Sequence, residues 1–175
     1  MATIVEFKRH RLRTTVKVED YPSLGYDILI CSSNANRAVN FSRELWRPGD
    51  YEAINGRLGS GGAEKGRVLW ATQYHMLPNR WEAMGALLLH VPTRRSKPIL
   101  IKRVCLQAGL TDRNKIVLTT WLIRCAKKVA AVSEKASGRL HWEVDPQDAG
   151  QLCEQYGFTR RGNNRQLAVL EHRDE

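Results

Sequence analysis

The sequence predicts a mixed α/β protein of the α+β kind, with a largely antiparallel central sheet flanked by helices in a single domain. Several strand-like runs lie in the first 107 residues, and a long amphipathic helix follows them. A further strand then comes after that helix, which predicts a parallel neighbour near the end of the sheet. With 175 residues, the chain can bury about two thirds of its unfolded surface in one core, so we expect one domain spanning 1–175.

The first half is expected to be mostly strands. Residues 3–18 alternate apolar and basic side chains and are rich in β-branched residues, which is typical of an edge strand or hairpin. Residues 26–31 form a short apolar run, and residues 35–45 are predicted as a helix ended by Pro48-Gly49. Three more strands are predicted, at 68–74, 82–91 and 99–107.

The second half carries the clearest helix. Asp112 is the predicted N-cap, and Leu118, Leu122 and Val129 repeat at helical spacing. A strand at 139–144 and a short helix at 148–155 follow, with Gly157 as the helix stop. Two final strands are predicted at 158–161 and 166–171, joined by a turn at 162–164.

The charge of the chain favours anionic partners. Lysine and arginine number 28 against 18 acidic residues, giving a formal net charge of +10. Such a field attracts nucleic acid, phosphorylated cofactors or an anionic membrane surface. The alternative for the N-terminal charges is a solvated strand face. The arginines that we assign to nucleic-acid binding are Arg9, Arg11, Arg94, Arg95 and Arg103.

The cysteines and the N-terminus exclude several classes of protein. Cys31, Cys105, Cys125 and Cys153 lack the close paired spacing of a zinc site, so no metal is expected. The basic first 17 residues are not followed by an apolar core, so we expect neither a signal peptide nor a membrane partner. Free thiols fit a cytoplasmic protein.

A basic turn opens the long helix. Arg113-Asn114-Lys115 comes directly after the predicted strand at 99–107 and its short connection. The first amide protons of a helix have no partner within the helix, and the helix dipole adds positive potential at the same place. The pattern predicts a site for an anionic phosphate ligand.

The order of these elements resembles the GCN5-related acyltransferase (GNAT) superfamily. The segment from Cys153 to Phe158 is similar to the family's Tyr-Glu-Lys-Leu-Gly-Phe, and Arg113-Asn114-Lys115 lies where the family has its phosphate turn. The resemblance implies that residues 98–171 form the half that binds acetyl-CoA or another acyl-CoA. The implied cofactor-binding residues are Val104, Leu106, Arg113, Asn114 and Lys115.

More narrowly, the chain is similar to the phage Mom-type branch, whose members modify adenine in DNA. The resembling pieces are Gln73-Tyr74-His75, Lys102-Arg103-Val104, Asp112-Arg113-Asn114 and Asp145-Pro146. The implied function is an acyl-CoA-dependent N-acyltransferase whose partner is nucleic acid, and DNA in particular. Two alternatives are an inactive GNAT-fold module that binds nucleic acid or protein, and an acetyltransferase for a protein or small amine.

The resemblance also implies five catalytic candidates. His75 or Asp145 would take a proton from the acceptor amine, and Tyr156 or Cys153 would return one to the leaving sulfur. Tyr74 would serve as a core aromatic or as a platform for a stacked base. The family tyrosine is replaced by Cys153, and Ile116 and Leu118 occupy positions where the family has glycine.

Overall fold

The computed structural model describes residues 4–8, 11–16, 28–32, 39–40, 42–59, 66–75, 80–92, 97–133, 138–164 and 166–173. Side chains are described at 42–56, 68, 71, 82–92, 97–133, 138–163 and 166–173. The strands are β1 (Ile4–Lys8), β2 (Arg11–Val16), β3 (Ile28–Ser32), β4 (Val39–Asn40), β5 (Gly66–His75), β6 (Arg80–His90), β7 (Ile99–Leu106), β8 (Arg139–Val144), β9 (Thr159–Asn164) and β10 (Leu167–Arg173). The helices are α1 (Pro48–Gly59), α2 (Asp112–Ala131) and α3 (Ala149–Tyr156).

These strands form one sheet in the order β1-β2-β3-β5-β6-β7-β8-β10-β9, and the two-residue β4 pairs with β6. Neighbouring strands along that order are antiparallel except for β7 and β8, which are parallel. The predicted fold class is therefore confirmed: the sheet is largely antiparallel and turns parallel where α2 connects β7 to β8.

The main core lies between the sheet and α2, which packs across β5 to β8. Leu118, Leu122 and Val129 are buried in it, as their spacing predicts. From the sheet, alternate residues of β8 contribute, namely Leu140, Trp142 and Val144. A second, smaller core fills the opposite face, where α1 packs on β5 and β6.

The start of α2 differs by one residue from the prediction. Thr111, not Asp112, is the N-cap, because its hydroxyl accepts the amide proton of Asn114 at 3.3 Å while Thr111 stays extended. Asp112 is the first helical residue, and its carboxylate pairs with Lys115 at 3.3 Å. Both residue types cap helices well, so the sequence alone did not separate them.

Two other predictions were wrong. Of the residues 35–45 predicted as a helix, Val39–Asn40 form a strand and Arg43–Leu45 form a 3-10 helix, and α1 begins at Pro48, where the helix was expected to have ended. Gly162, Asn163 and Asn164 belong to β9 instead of forming the turn. A register shift at Val169/Leu170 of β10 accommodates the longer β9.

The short helix α3 ends as predicted. Gly157 adopts a left-handed conformation with φ 66°, and its amide donates to the carbonyl of Cys153 at 2.9 Å. The Lys127 ammonium of α2 donates to the carbonyl of Tyr156, which ties the end of α3 to α2.

Candidate active site between two diverging strands

The parallel strands β7 and β8 pair only at their first residues. The pairs are Ile99 with Leu140, Leu100 with His141 and Ile101 with Trp142. Beyond Ile101, β7 continues to Leu106 with β6 as its paired neighbour, and β8 continues to Val144 with β10. The two strands therefore diverge, and an opening forms between their carboxyl ends.

A bulge in β7 coincides with the point of divergence. Leu88 of β6 pairs with Arg103 and Leu89 pairs with Ile101, so Lys102 is the extra residue on β7. A bulge bends a strand and increases its local twist. At the same step, the Lys102 ammonium lies 3.7 Å from the carboxylate of Glu143 on β8. This ion pair spans the first position at which the backbones no longer pair.

Apolar side chains line β7 beyond the last pair. Val104 and Leu106 are half-buried and pack against the main core on the side of α2. Gly85 of β6 lies opposite Leu106, and a Cβ there would meet Leu106 at 3.0 Å and Leu122 at 3.3 Å. Leu106 and Leu122 can approach the backbone of β6 this closely because Gly85 has no side chain.

The first turn of α2 presents the basic segment. Arg113 is exposed, while Asn114 and Lys115 are half-buried. The side-chain oxygen of Asn114 is buried and has no hydrogen-bond partner among the described residues. Leu118 points into the main core and Ile116 is 52% exposed, so the side chains that replace the family glycines point away from each other.

Tyr156, at the end of α3, lies against α2 and β8. Its ring centroid is 5.9 Å from that of Trp142, which belongs to the last pair of β7 and β8. Burial raises the pKa of the Tyr156 hydroxyl, although hydrogen bonds with Thr119 and Thr120 act in the opposite direction. The hydroxyl is therefore protonated at neutral pH.

Asp145 directly follows β8, and Cys153 belongs to α3, the next element of the chain. Cys153 is a half-buried free thiol that packs against the main core. Asp145 is exposed directly after β8, and its carboxylate accepts the amide proton of Gln147 at 2.9 Å. This contact makes Asp145 part of the turn that leads into α3.

Structural comparison identifies the fold. A chain of the KacTA–DNA complex aligns with a TM-score of 0.54 at 13% identity, covering 82% of this chain and 92% of that one. A point mutant of the AtaT toxin bound to the C-terminus of the antitoxin AtaR gives 0.52 at 13% identity, with the same coverage. AtaTR bound with AcCoA gives 0.51 at 12% identity, covering 77% and 87%. These proteins are GNAT-fold acetyltransferases. The chain has the GNAT fold. Neither a family model nor a curated protein matches the sequence.

In this GNAT fold, Tyr74 and His75 lie at the same end of the sheet as the opening. They close β5 and pair with Trp81 and Arg80 of β6. Because β6 and β7 are antiparallel, the end of β7 lies near the start of β6. Tyr74 and His75 therefore lie at the same end of the sheet as Asp145. They are not next to it, because β6 and β7 lie between β5 and β8.

The sheet face opposite α2 carries an ion pair that sequence reasoning missed. The Arg103 guanidinium contacts the carboxylate of Asp50 in α1 at 2.7 Å, and Asp50 is only 9% exposed. Beside them, burial raises the pKa of the Cys105 thiol to about 12, and the charge of Asp50 adds to the effect. Arg103, which we assigned to nucleic acid, thus holds α1 to β7 and still leaves about half of its side chain exposed.

The remaining arginines of the nucleic-acid assignment are only partly covered by the structure. Arg9, Arg94 and Arg95 lie outside the described residues. Arg11 starts β2 and pairs with Lys8, at the far edge of the sheet from β8. Among described residues, no group of three or more metal-ligating side chains is arranged to hold an ion. None of the described helices is long and apolar enough to cross a membrane.

Proposed function

We propose that the protein is an acyl-CoA-dependent N-acyltransferase whose acceptor is a nucleic acid. The observation that carries this proposal is the end of pairing between β7 and β8 after Ile101 and Trp142, combined with a basic helix start that follows β7 after residues 107–111. Ligands of open sheets containing parallel strands bind outside the carboxyl ends of those strands. An anionic ligand gains further from the helix start beside it.

The neighbouring structures support the same chemistry. AtaTR was crystallised with AcCoA, and KacTA was crystallised with DNA. Both share the fold of this chain, and the net charge of +10 adds an attraction for polyanions. Cofactor use and a nucleic-acid partner are therefore proposed together.

The residues around the opening fit an acyl-CoA. Arg113 and Lys115 supply positive charge for its diphosphate at the α2 start, and Val104 and Leu106 offer an apolar wall for its extended arm. The buried Asn114 oxygen without a partner would accept a hydrogen bond from an amide group of that arm. When bound, the cofactor supplies an activated acyl group.

Proton transfer is assigned to residues of this chain. The acceptor amine must lose a proton, and His75 or Asp145 would take it. The hydroxyl of Tyr156 holds a proton at neutral pH because burial raises its pKa. Tyr156 is therefore the preferred proton donor, with the half-buried thiol of Cys153 as the other candidate.

Adenine in DNA is the proposed acceptor base, following the similarity to the Mom-type branch. Its exocyclic amine lies inside the base stack, so the base must be unpaired or flipped out before it reacts. Tyr74 is at the right end of the sheet to stack with such a base. The basic residues of the chain would hold the surrounding phosphates.

Calorimetric titration with acetyl-CoA tests the cofactor site. Arg113→Gln should weaken binding by about tenfold, since a charge-assisted contact contributes about 1.5 kcal/mol or more. Arg124→Gln is the matched control, because Arg124 is exposed on the same helix and stacks on Trp121 at 4.9 Å. Equal losses in the two variants would contradict a site at the helix start.

Mass spectrometry of nucleosides from cells that express the protein tests the acceptor. A modified deoxyadenosine is expected from DNA, and its amount should fall steeply with Tyr156→Phe. Cofactor binding without any nucleoside product would support the acetyltransferase of a protein or small amine. Neither cofactor binding nor a product would support the inactive binding module.

A further inference from the structure

The opening has a narrow end, which lies at Ile101 and Trp142, the last pair of β7 and β8. Glu143 is the next residue of β8. Trp142 is buried in the main core on the side of α2, and neighbouring residues of a strand point to opposite faces of the sheet. Glu143 therefore points to the face opposite α2, at the first position where the two strands no longer pair.

The carboxylate of Glu143 reaches across the gap between the strands. Its Oε2 lies 3.7 Å from the ammonium of Lys102, the bulge residue of β7. Most of the Glu143 side chain is covered, with 21% exposed. The contact with Lys102 is longer than a hydrogen bond. Lys102 thus attracts the carboxylate to the narrow end without donating a close hydrogen bond to it.

The side chains of the narrow end suit the reactive end of an acyl-CoA. Such a molecule carries its diphosphate and its thioester at opposite ends of an extended arm. With the diphosphate at the start of α2, beyond the end of β7, the arm would follow β7 back from Leu106 towards Lys102. These residues are about 13 Å apart at about 3.3 Å per residue. The thioester would then lie at the end of the opening where Glu143 is.

Tyr156 occupies the other face at the same end of the opening. Its ring centroid is 5.9 Å from that of Trp142, on the side of α2. Tyr156 and Glu143 therefore flank the narrow end from the two faces of the sheet. Acyl transfer to an amine needs one group that gives a proton to the leaving sulfur and another that takes a proton from the amine. The two faces can divide these two roles.

The other two candidates for the proton acceptor lie farther from the narrow end. Asp145 comes two residues after Glu143, is exposed, and accepts the amide proton of Gln147 at 2.9 Å. His75 closes β5 at the carboxyl end of β7, where the opening is wide. A general base must lie within hydrogen-bond reach of the proton that it takes. This requirement favours Glu143.

We propose that Glu143 takes the proton from the acceptor amine, which approaches from the face opposite α2. This inference rests on the proposed function and adds a proton acceptor to it. The amine nitrogen bonds to the acyl carbon, and the bond between that carbon and sulfur breaks with its electron pair going to sulfur. The proton of the nitrogen goes to Glu143, and the sulfur takes a proton from Tyr156. Exchange with solvent then restores both groups.

Glu143→Gln tests this role through the release of free CoA from acetyl-CoA, with a single-stranded oligonucleotide that contains adenine as the acceptor. The rate should fall by about a hundredfold or more. Hydrolysis of acetyl-CoA without the oligonucleotide uses water as the acceptor and should fall as well. Acetyl-CoA affinity, measured by calorimetry, should stay within about twofold of the wild type, because the carboxylate is assigned to the amine.

Two variants separate proton transfer from the loss of an ion pair. Lys102→Gln breaks the same contact but keeps the carboxylate, so the rate should fall by no more than about fivefold. Glu52→Gln removes the same charge from α1, where Glu52 lies 3.8 Å from Arg43, and should leave the rate unchanged. Equal losses in Glu143→Gln and Lys102→Gln would mean that the pair only joins the strands, and would overturn the proposal.

A labelling experiment tests the position of Glu143 without measuring turnover. In Glu143→Cys, the new thiol should be acetylated by bound acetyl-CoA, as detected by mass spectrometry of the peptide, and excess free CoA should suppress the reaction. Asp145→Cys places a thiol at the exposed position two residues later and should react much more slowly. Faster labelling at position 145 would place the thioester away from Glu143.

The results distinguish this inference from the proposed function. Wild-type protein that does not bind acetyl-CoA would contradict both. Normal acetyl-CoA binding, with the same CoA release in Glu143→Gln as in the wild type, would overturn only the role of Glu143. Unchanged thermal midpoints in the variants show that each difference comes from the site and not from unfolding.

Discussion

Arg103 of β7 places its Nη2 and Nε at 2.7 and 2.8 Å from one carboxylate oxygen of Asp50 in α1. These residues are 53 positions apart in the chain. The contact attaches α1 to the strand that forms one side of the opening. It also places a buried acid and a half-exposed arginine next to the bulge at Lys102.

Asp50→Ala should destabilise the protein by about 2 kcal/mol, because Arg103 loses its buried partner while its exposed half stays solvated. Chemical denaturation measures this change. Glu52→Ala is the control, since Glu52 pairs with Arg43 at 3.8 Å with both side chains mostly exposed. Glu52→Ala should lower the free energy of unfolding by no more than about 0.5 kcal/mol. Similar losses in both variants would mean that the Asp50 contact contributes little.

Stability should depend on pH through Glu171. Burial alone would raise its pKa, but hydrogen bonds from His141 and Arg173 and the charges of Arg161 and Arg173 outweigh burial and lower the pKa. The folded state therefore binds this proton less readily than the unfolded chain. The resulting stability is complete above the ordinary value of about 4.5 and is lost as the pH falls through the lowered pKa.

Thermal unfolding of Glu171→Gln at a series of pH values tests this. The wild type should be more stable than the variant at neutral pH, and the difference should shrink below about pH 4.5. A difference that stays constant on acidification would exclude Glu171 as the responsible group.

Substitution by alanine should change stability in opposite directions at Gly150, within α3, and at Gly157, the residue that ends α3. Gly157→Ala should cost about 1 kcal/mol, because Gly157 is left-handed at φ 66°. Gly150→Ala should stabilise by about 0.5 to 1 kcal/mol, since Gly150 lies within α3 and a Cβ there meets nothing within 4 Å. Denaturant midpoints measure both changes. A stabilising Gly157→Ala would show that the left-handed cap is not required.

Tyr156→Phe should lower kcat by about a hundredfold if its hydroxyl is the proton donor, whereas Cys153→Ala should change it little. The phenyl ring keeps the packing against Trp142, so the thermal midpoint should fall only slightly. Since burial raises the pKa of Tyr156, the wild type should keep its donor protonated to a higher pH than an ordinary tyrosine would. The reverse ranking of the two variants would assign the proton to Cys153.

Local patterns predicted the elements around the opening. The helical spacing of Leu118, Leu122 and Val129 marked the buried face of α2, and Gly157 marked the end of α3. The strand predicted at 139–144 is β8, in which every second residue is buried. These signals act within one element, so a single sequence contains them.

The features that were missed depend on other signals. Pro48 was interpreted as a helix stop, yet proline is also favoured at the first helical position, where it begins α1. Because the helix that contains Asp50 was not predicted, its contact with Arg103 was not predicted either. Glu171 and His141 meet only through the register of β8 and β10, which no short pattern specifies. The partner of a polar side chain on a strand depends on which strands are neighbours and in which register. The contact between Glu171 and His141 could therefore not be inferred from the sequence alone.

Three rungs join β7 to β8, whereas ten residue pairs join β5 to β6. The sheet is thus two antiparallel blocks that meet at a seam of three residue pairs, and α2 packs across both blocks. Ile99, Ile101 and Leu140 of the seam are fully buried in the main core, so apolar packing compensates for the small number of backbone hydrogen bonds there. A substitution that shortens one of these side chains would therefore weaken the connection between the blocks before it weakened either block itself.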